Sequence, residues 1–151
     1  MQSRIRECSV PYFQMDRRDL RALSRVRLAE ARALLKAGLP DGAYYLAGYA
    51  VECALKACIA RETQRYEFPE KRRVDASYTH NLKVLLQTAR LQDEFRTAAK
   101  ADPLFREYWD VVDLWSPESR YGTNSEETAR GLIKAIGDRN HGVMKWVKRY
   151  W

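Results

Sequence analysis

The stretch from Tyr44 to Ala60, YYLAGYAVECALKACIA, constrains the fold more than any other part of the chain. Ala43, Ala47, Ala50, Val51, Ala54 and Cys58 recur at three- and four-residue spacing, which is the signature of a helix face. Side chains this small let a second helix approach closely. Gly48 costs a helix on the order of 1 kcal/mol against alanine, so its place here predicts a close contact at the backbone. The stretch carries one acid and one base, Glu52 and Lys56, four residues apart in the order that favours a helical ion pair. So little charge predicts the most buried helix of the chain.

The flanking sequence builds outward from it. Residues 1–15 have no steady period and contain Pro11, which predicts an irregular arm. A first helix should begin near Asp16 or Asp19, run to Ala37 and stop at Gly38, with Leu20, Leu23, Leu28, Ala31, Leu34 and Leu35 as its apolar face. Leu39-Pro40-Asp41-Gly42 is a tight connection, so a second helix from about Asp41 to Thr63 should return antiparallel to the first. Gln64 to Thr79 breaks the period and contains Pro69; it reads as the longest loop, and so as a candidate functional segment.

His80-Asn81 opens a third helix carried by Leu82, Leu85, Leu86 and Ala89, with a further turn or two from Asp93 to Ala99. Asp102-Pro103 marks a helix start, aspartate as cap and proline in the first turn. Leu104, Tyr108, Val111, Val112 and Trp115 form the expected stripe of that helix. Trp115 to Asn124 reads as a loop, after which Thr123 or Asn124 could form a capping box. The last helix, through Ala129, Leu132, Ile133, Ile136, Val143 and Val147, keeps its period across Gly137 and Gly142 and is expected to be continuous to about Arg149. No alternating pattern competes with these stripes. The fold class expected is all-α: one domain, residues 16–151, forming an antiparallel up-and-down bundle of about five helices.

Charge and cysteines narrow the setting. The net charge of +7 favours acidic partners, nucleic acid first. Yet the arginines of the first helix are interspersed with Asp19 and Glu30, which also suits a plain solvated face. Cys8, Cys53 and Cys58 match no zinc spacing and read as reduced thiols. No run approaches the length of a membrane span, so no membrane role is expected and the cytoplasm is the expected location. No cofactor or metal is implied.

Several segments, in order, resemble the HEPN family (higher eukaryotes and prokaryotes nucleotide-binding domain). AEARALLKAGLPDGAYYLAGYAVECALKACIARE is similar to the family's two-helix core, THNLKVLL to its His-x-Leu segment, and RYG to the Arg-Tyr segment of a subgroup. The resemblance covers Asp16 to about Trp146. It implies a helical bundle that is commonly homodimeric. The family includes RNA-cleaving toxins, nucleotide-binding modules and partners of minimal nucleotidyltransferases in toxin–antitoxin pairs. One departure stands out. Nuclease members carry Arg-x(4–6)-His near the start of the last helix, but the positions at that distance before His141 are Ile136, Ala135 and Lys134. The only formal match for His80 begins at Arg73, in the wrong part of the fold, and in a chain with 27 lysines and arginines such a spacing arises readily by chance.

The residues themselves offer four places for chemistry. His80 suits general acid–base work on a 2′-hydroxyl, or else a structural role at a helix start. Glu52 and Lys56 could be a packed ion pair or the floor of a polar cleft in which Lys56 meets phosphate. Arg120 and Tyr121 precede a helix N-terminus; the guanidinium could pair with phosphate while the phenol stacks on a base, or the arginine could stack on Trp115 with the tyrosine in the core. KWVKRYW at the end of the sequence mixes bases and aromatics, as single-strand binders do, but better fits the end of an amphipathic helix whose Trp146, Val147 and Trp151 pack on a neighbour. The leading expectation is a non-catalytic module that recognises a nucleotide or RNA phosphate through Arg120, Tyr121, Lys56 and Glu52, or docks with a nucleotidyltransferase. The alternatives are a metal-independent ribonuclease using His80 with Arg73 or Arg120, and a purely structural dimerisation module.

Overall fold

The computed structural model describes residues 15–65 and 71–151, with the side chains of 64, 65 and 71–73 excepted. The expected arm, apart from Met15, the middle of the expected loop and the Arg73 side chain therefore lie outside the described residues. Every regular element within them is helical. Helix α1 (Arg17–Lys36) starts at a reciprocal cap: Asp16 accepts from the Asp19 N–H at 2.9 Å, and Asp19 accepts from the Asp16 N–H at 3.0 Å. It ends at Gly38, whose φ of +76° is the left-handed turn that glycine adopts without strain. Helix α2 (Pro40–Arg65) then runs back along α1.

Helix α2 is the centre of the molecule. Ala43, Ala47, Ala50, Val51, Ala54, Leu55 and Ala57 are fully buried, with Cys58 and Ile59 nearly so. It packs on α1 and on four later elements, which encloses most of its middle turns. Burial pushes the Cys53 thiol up to about 11 and the Cys58 thiol up to about 12, which leaves both as inert packing groups. The predicted close contact at Gly48 is with the indole of Trp115, which a Cβ at that position would meet at 2.0 Å. On α1 the buried positions are Ser24, Leu28 and Ala31. Ser24 tolerates burial because its hydroxyl donates to the Ala50 carbonyl at 2.7 Å.

The expected count of about five helices becomes eight among the described residues, because three expected segments divide differently. After α2, residues Lys71–Ser77 form α3, within the stretch read as loop. That stretch has no proline or glycine after Pro69, so the charge pattern that disguised it does not prevent a helix. Helix α4 (Leu82–Thr88) is capped by Asn81, which accepts from the Val84 N–H at 3.1 Å, and α5 (Gln92–Ala101) follows. Helix α6 (Pro103–Asp113) starts where Asp102-Pro103 places it. Its buried face is Phe105, Trp109 and Val112, whereas Leu104 and Val111 are exposed. The aromatic rings win that register: Phe105 and Trp109 pack with Phe95 and Trp146, at centroid separations of 5.1 to 6.0 Å.

A 3₁₀ turn (Pro117–Tyr121) precedes α7 (Glu126–Gly137). The cap of α7 is Ser125, accepting from the Thr128 N–H at 3.1 Å, rather than Thr123 or Asn124. The expected continuous last helix is broken into α7 and α8 (Val143–Val147). Asp138 breaks it by accepting from the N–H groups of Asn140 and His141 at 2.9 and 2.8 Å. At Gly142 a Cβ would lie 2.4 Å from the Asp138 carbonyl oxygen, so the tight turn needs glycine. His141, on this turn, bonds through Nδ1 to Asp102 at 2.7 Å, and this contact holds the Asp102 carboxyl below the usual carboxylate range. His141 thus ties the break to the start of α6. Trp146, Val147 and Trp151 are buried, so the terminal aromatics pack rather than present themselves.

Candidate functional site

Glu52 is the charged side chain that the core of α2 admits. It is 3% exposed, and burial of a carboxylate is tolerated only with close partners. It has two. Lys56, one turn on, donates to Oε1 at 2.9 Å, and His80 Nδ1 lies 2.9 and 3.1 Å from the two oxygens. The first pairing follows from helix spacing. The second brings together residues 28 positions apart, and it arises because Asn81 caps α4 and so seats His80 at the α2–α4 junction. With Nδ1 engaged, Nε2 is the ring nitrogen left for a ligand. The His80 side chain is half-exposed, so that nitrogen is reachable.

An aromatic chain links this cluster to Arg120. The Tyr49 ring stands edge-on to His80, to Trp115 and to Tyr45, with centroids 6.1, 5.2 and 4.9 Å apart. Burial and the Tyr45 hydroxyl push the Tyr49 phenol up, so it stays neutral. The Tyr45 hydroxyl also interacts with Arg120 and raises its pKa further. The Arg120 guanidinium lies over the Tyr121 ring, 4.8 Å from its centroid, and Tyr121 is 80% exposed. Neither half of the packing alternative for this pair holds: the arginine does not stack on Trp115, and the tyrosine is not core. The helix N-terminus expected to help them begins only at Glu126, and its first turn carries Glu126 and Glu127. It therefore offers no anion site to Arg120.

Two recesses flank the Tyr49 ring. An open groove of about 720 Å³ lies between α1 and α2, lined by Arg27, Glu30, Leu34, Tyr45, Leu46 and Tyr49. A second, of about 450 Å³, is lined by His80, Lys83, Asp113, Trp115 and Glu118 among others. The second is mixed in charge. Glu118 is held below the usual carboxylate range, first by its own backbone N–H and the Ser116 hydroxyl and then by the charges of Arg120 and His80. Among the described residues no group of three or more His, Cys, Asp or Glu side chains could hold a metal ion, and no helix is long and apolar enough to cross a membrane.

The described residues form an all-α bundle, centred on a buried carboxylate that contacts a lysine and a histidine. The chain matches the HEPN domain over residues 18–150 and belongs to that family of nucleotide-binding and ribonuclease-type modules. Comparison with curated proteins and with solved structures gave no match.

Of the residues singled out in the sequence, Glu52, Lys56 and His80 form one contact cluster and Arg120 with Tyr121 another, and Tyr49 and Tyr45 lie between them. The two tyrosines were not singled out as site residues. Their signal was present in the YYLAGY run, but there it is indistinguishable from core.

Proposed function

We propose that this chain is a HEPN binding module that takes a nucleotide or an RNA phosphate at Arg120. The observation that supports this reading most is the state of the Arg120 guanidinium. It is exposed, has no carboxylate ion pair among the described residues, and lies over the Tyr121 ring at 4.8 Å from its centroid, with its pKa raised first by the Tyr45 hydroxyl. A cation so positioned loses little freedom on meeting a phosphate. The apolar groove beside Tyr45 and Tyr49 is of a size to take a base, and the exposed Tyr121 ring offers a stacking face. Lys56 and His80 supply further donors, while the buried Glu52 fixes their positions rather than touching the anion. HEPN domains often dimerise, so a homodimer is the expected assembly; a nucleotidyltransferase partner in a toxin–antitoxin or defence setting rests on the family resemblance.

Arg120→Ala should weaken binding of ATP, or of a short oligoribonucleotide, by about tenfold or more, since a charge-assisted hydrogen bond contributes about 1.5–3 kcal/mol. Isothermal titration at two salt concentrations would show the loss to be largest at low salt. Unchanged affinity would remove Arg120 from the site.

One observation favours a second reading, metal-independent RNA cleavage. Glu52 orients His80 through Nδ1, which leaves Nε2 to accept a proton from a 2′-hydroxyl while Arg120 stabilises charge developing on the phosphate. In that reading His80→Ala abolishes cleavage of a single-stranded RNA in EDTA. Cleavage that is absent in the wild type, or indifferent to the substitution, ends it.

A further inference from the structure

A second concentration of positive charge lies at the other end of α2. Arg17, Arg21 and Arg25 follow one another at four-residue intervals on α1, so their side chains rise along one face by about 6 Å each. They converge on one residue. Arg17 donates to the Trp151 backbone carbonyl, and the guanidinium carbons of Arg21 and Arg25 lie 5.2 and 4.9 Å from the Trp151 ring centroid. Lys148 adds its ammonium 5.6 Å from the same ring. The Cys58 thiol lies 3.8 Å from the Val147 carbonyl, next to Lys148, and Arg61 follows Cys58 by three residues on α2, about one helical turn, which brings it to this end of the molecule. Cys58 is thirteen residues beyond Tyr45 on α2, so the cluster is about 20 Å along the helix axis from the Tyr45–Arg120 end of the first site.

None of these five cations makes a carboxylate ion pair among the described residues, a lack they share with Arg120 and several others; what sets them apart is that they gather in one place. Eight other lysines and arginines make ion pairs among the described residues, but Arg17, Arg21, Arg25, Arg61 and Lys148 make none. The Nε groups of Arg17 and Arg21 are also buried without a hydrogen-bond partner. Stacking on Trp151 contributes about 0.5–1 kcal/mol per cation, which orders the guanidinium groups but leaves their mutual repulsion unanswered. A purely structural use of Trp151 would need only one of them.

The chemistry selects the ligand. Guanidinium forks match phosphate oxygens bidentately, and several cations gathered round one ring match a polyanion rather than a single charge. Trp151 is 5% exposed, so it offers no face for a base and the contact reads backbone alone. A membrane-surface site would present its aromatics instead of burying them. Helix α1 lies along α2 and cannot enter a groove, so the cluster faces one strand rather than a duplex. We propose that Arg17, Arg21, Arg25, Arg61 and Lys148 form a second site, which binds the phosphodiester backbone of a single-stranded nucleic acid without regard to base sequence.

The test is fluorescence anisotropy of the full chain with a labelled single-stranded oligonucleotide of mixed sequence, titrated across salt. Two variants are compared, Arg21→Gln/Arg25→Gln and Arg61→Gln/Lys148→Gln; the second leaves both arginines that cover Trp151 in place, so it reports even if the first unfolds. Each should lower affinity about tenfold and flatten the salt dependence by about 0.7 in log–log slope per lost phosphate contact. ATP binding at Arg120 should be unchanged in both. Unaltered oligonucleotide affinity and slope in the folded variants would overturn the proposal. So would tighter binding to a duplex, or to vesicles of phosphatidylserine, or a parallel loss of ATP binding.

Discussion

Gly48→Ala should destabilise the protein by about 2–3 kcal/mol, against the sign that helix propensity assigns to it. In the interior of an exposed helix the substitution would stabilise by about 1 kcal/mol. Here the new Cβ would sit 2.0 Å from Cδ2 and Cε2 of Trp115 and 2.2 Å from Nε1. The far end of a flexible side chain could yield, but this is a rigid bicyclic ring, 3% exposed and pinned edge-on by Tyr49. Overpacking of that kind costs about 1–3 kcal/mol and sometimes more, which outweighs the propensity gain. At this chain length a melting temperature lower by about 4–10 °C is expected in calorimetry. The effect should also reach the ligand site, because Trp115, Tyr49, Tyr45 and Arg120 form one continuous contact chain. Adding Trp115→Leu should recover part of the loss by vacating the space. A melting temperature equal to or above that of the wild type would show that Trp115 repacks without strain and would detach Gly48 from the site.

How far the sequence could be read follows from the range of the forces involved. Caps and turns are local, so Asp16, Gly38, Asn81 and Asp102 announced themselves, and α1, α2 and the start of α6 lie where their residues place them. The small-residue face of α2 likewise identified the centre of the core. Of the expected face of α6, Val112 and Trp115 are buried but Leu104 and Val111 are exposed, because aliphatic spacing alone cannot weigh a Leu104–Val111 stripe against a Phe105–Trp109 one. Only the neighbouring rings Phe95 and Trp146 decide that, and they come from other helices. The break at Asp138 was hidden for a different reason. The apolar period persists on both sides, and the competing signal is a single side chain folding back on two N–H groups. At the site, Glu52 with Lys56 was legible as a helical pair, whereas Glu52 with His80 depends on how α4 meets α2. Tyr45 and Tyr49 could not be told from core until Arg120 was seen beside them. The residues were mostly visible; their convergence was not.

Lys56→Met tests whether Glu52 is held or merely tolerated. The Glu52 side chain is 4% exposed and that of Lys56 23%, so removing the ammonium leaves a carboxylate in the core with only His80 to compensate. Stranding one member of a buried pair costs about 3–5 kcal/mol. Because His80 retains its two contacts with the carboxylate, the lower end is expected, about 3 kcal/mol by urea denaturation. The double variant Glu52→Gln/Lys56→Met removes both charges and keeps the shape of the site. It should recover most of that loss, giving a coupling energy of about 2 kcal/mol between the two positions. Stability and ligand binding should then separate. The double variant folds, yet it loses the carboxylate that orients His80 and the cation beside it, so ATP affinity should stay low while the melting temperature returns. If Lys56→Met alone left stability unchanged, Glu52 would have to be neutral or fully served by His80, and the pair would lose its role in positioning the site. If instead the double variant regained wild-type affinity, neither charge would be needed by the ligand, and binding would rest on Arg120 and the tyrosines alone.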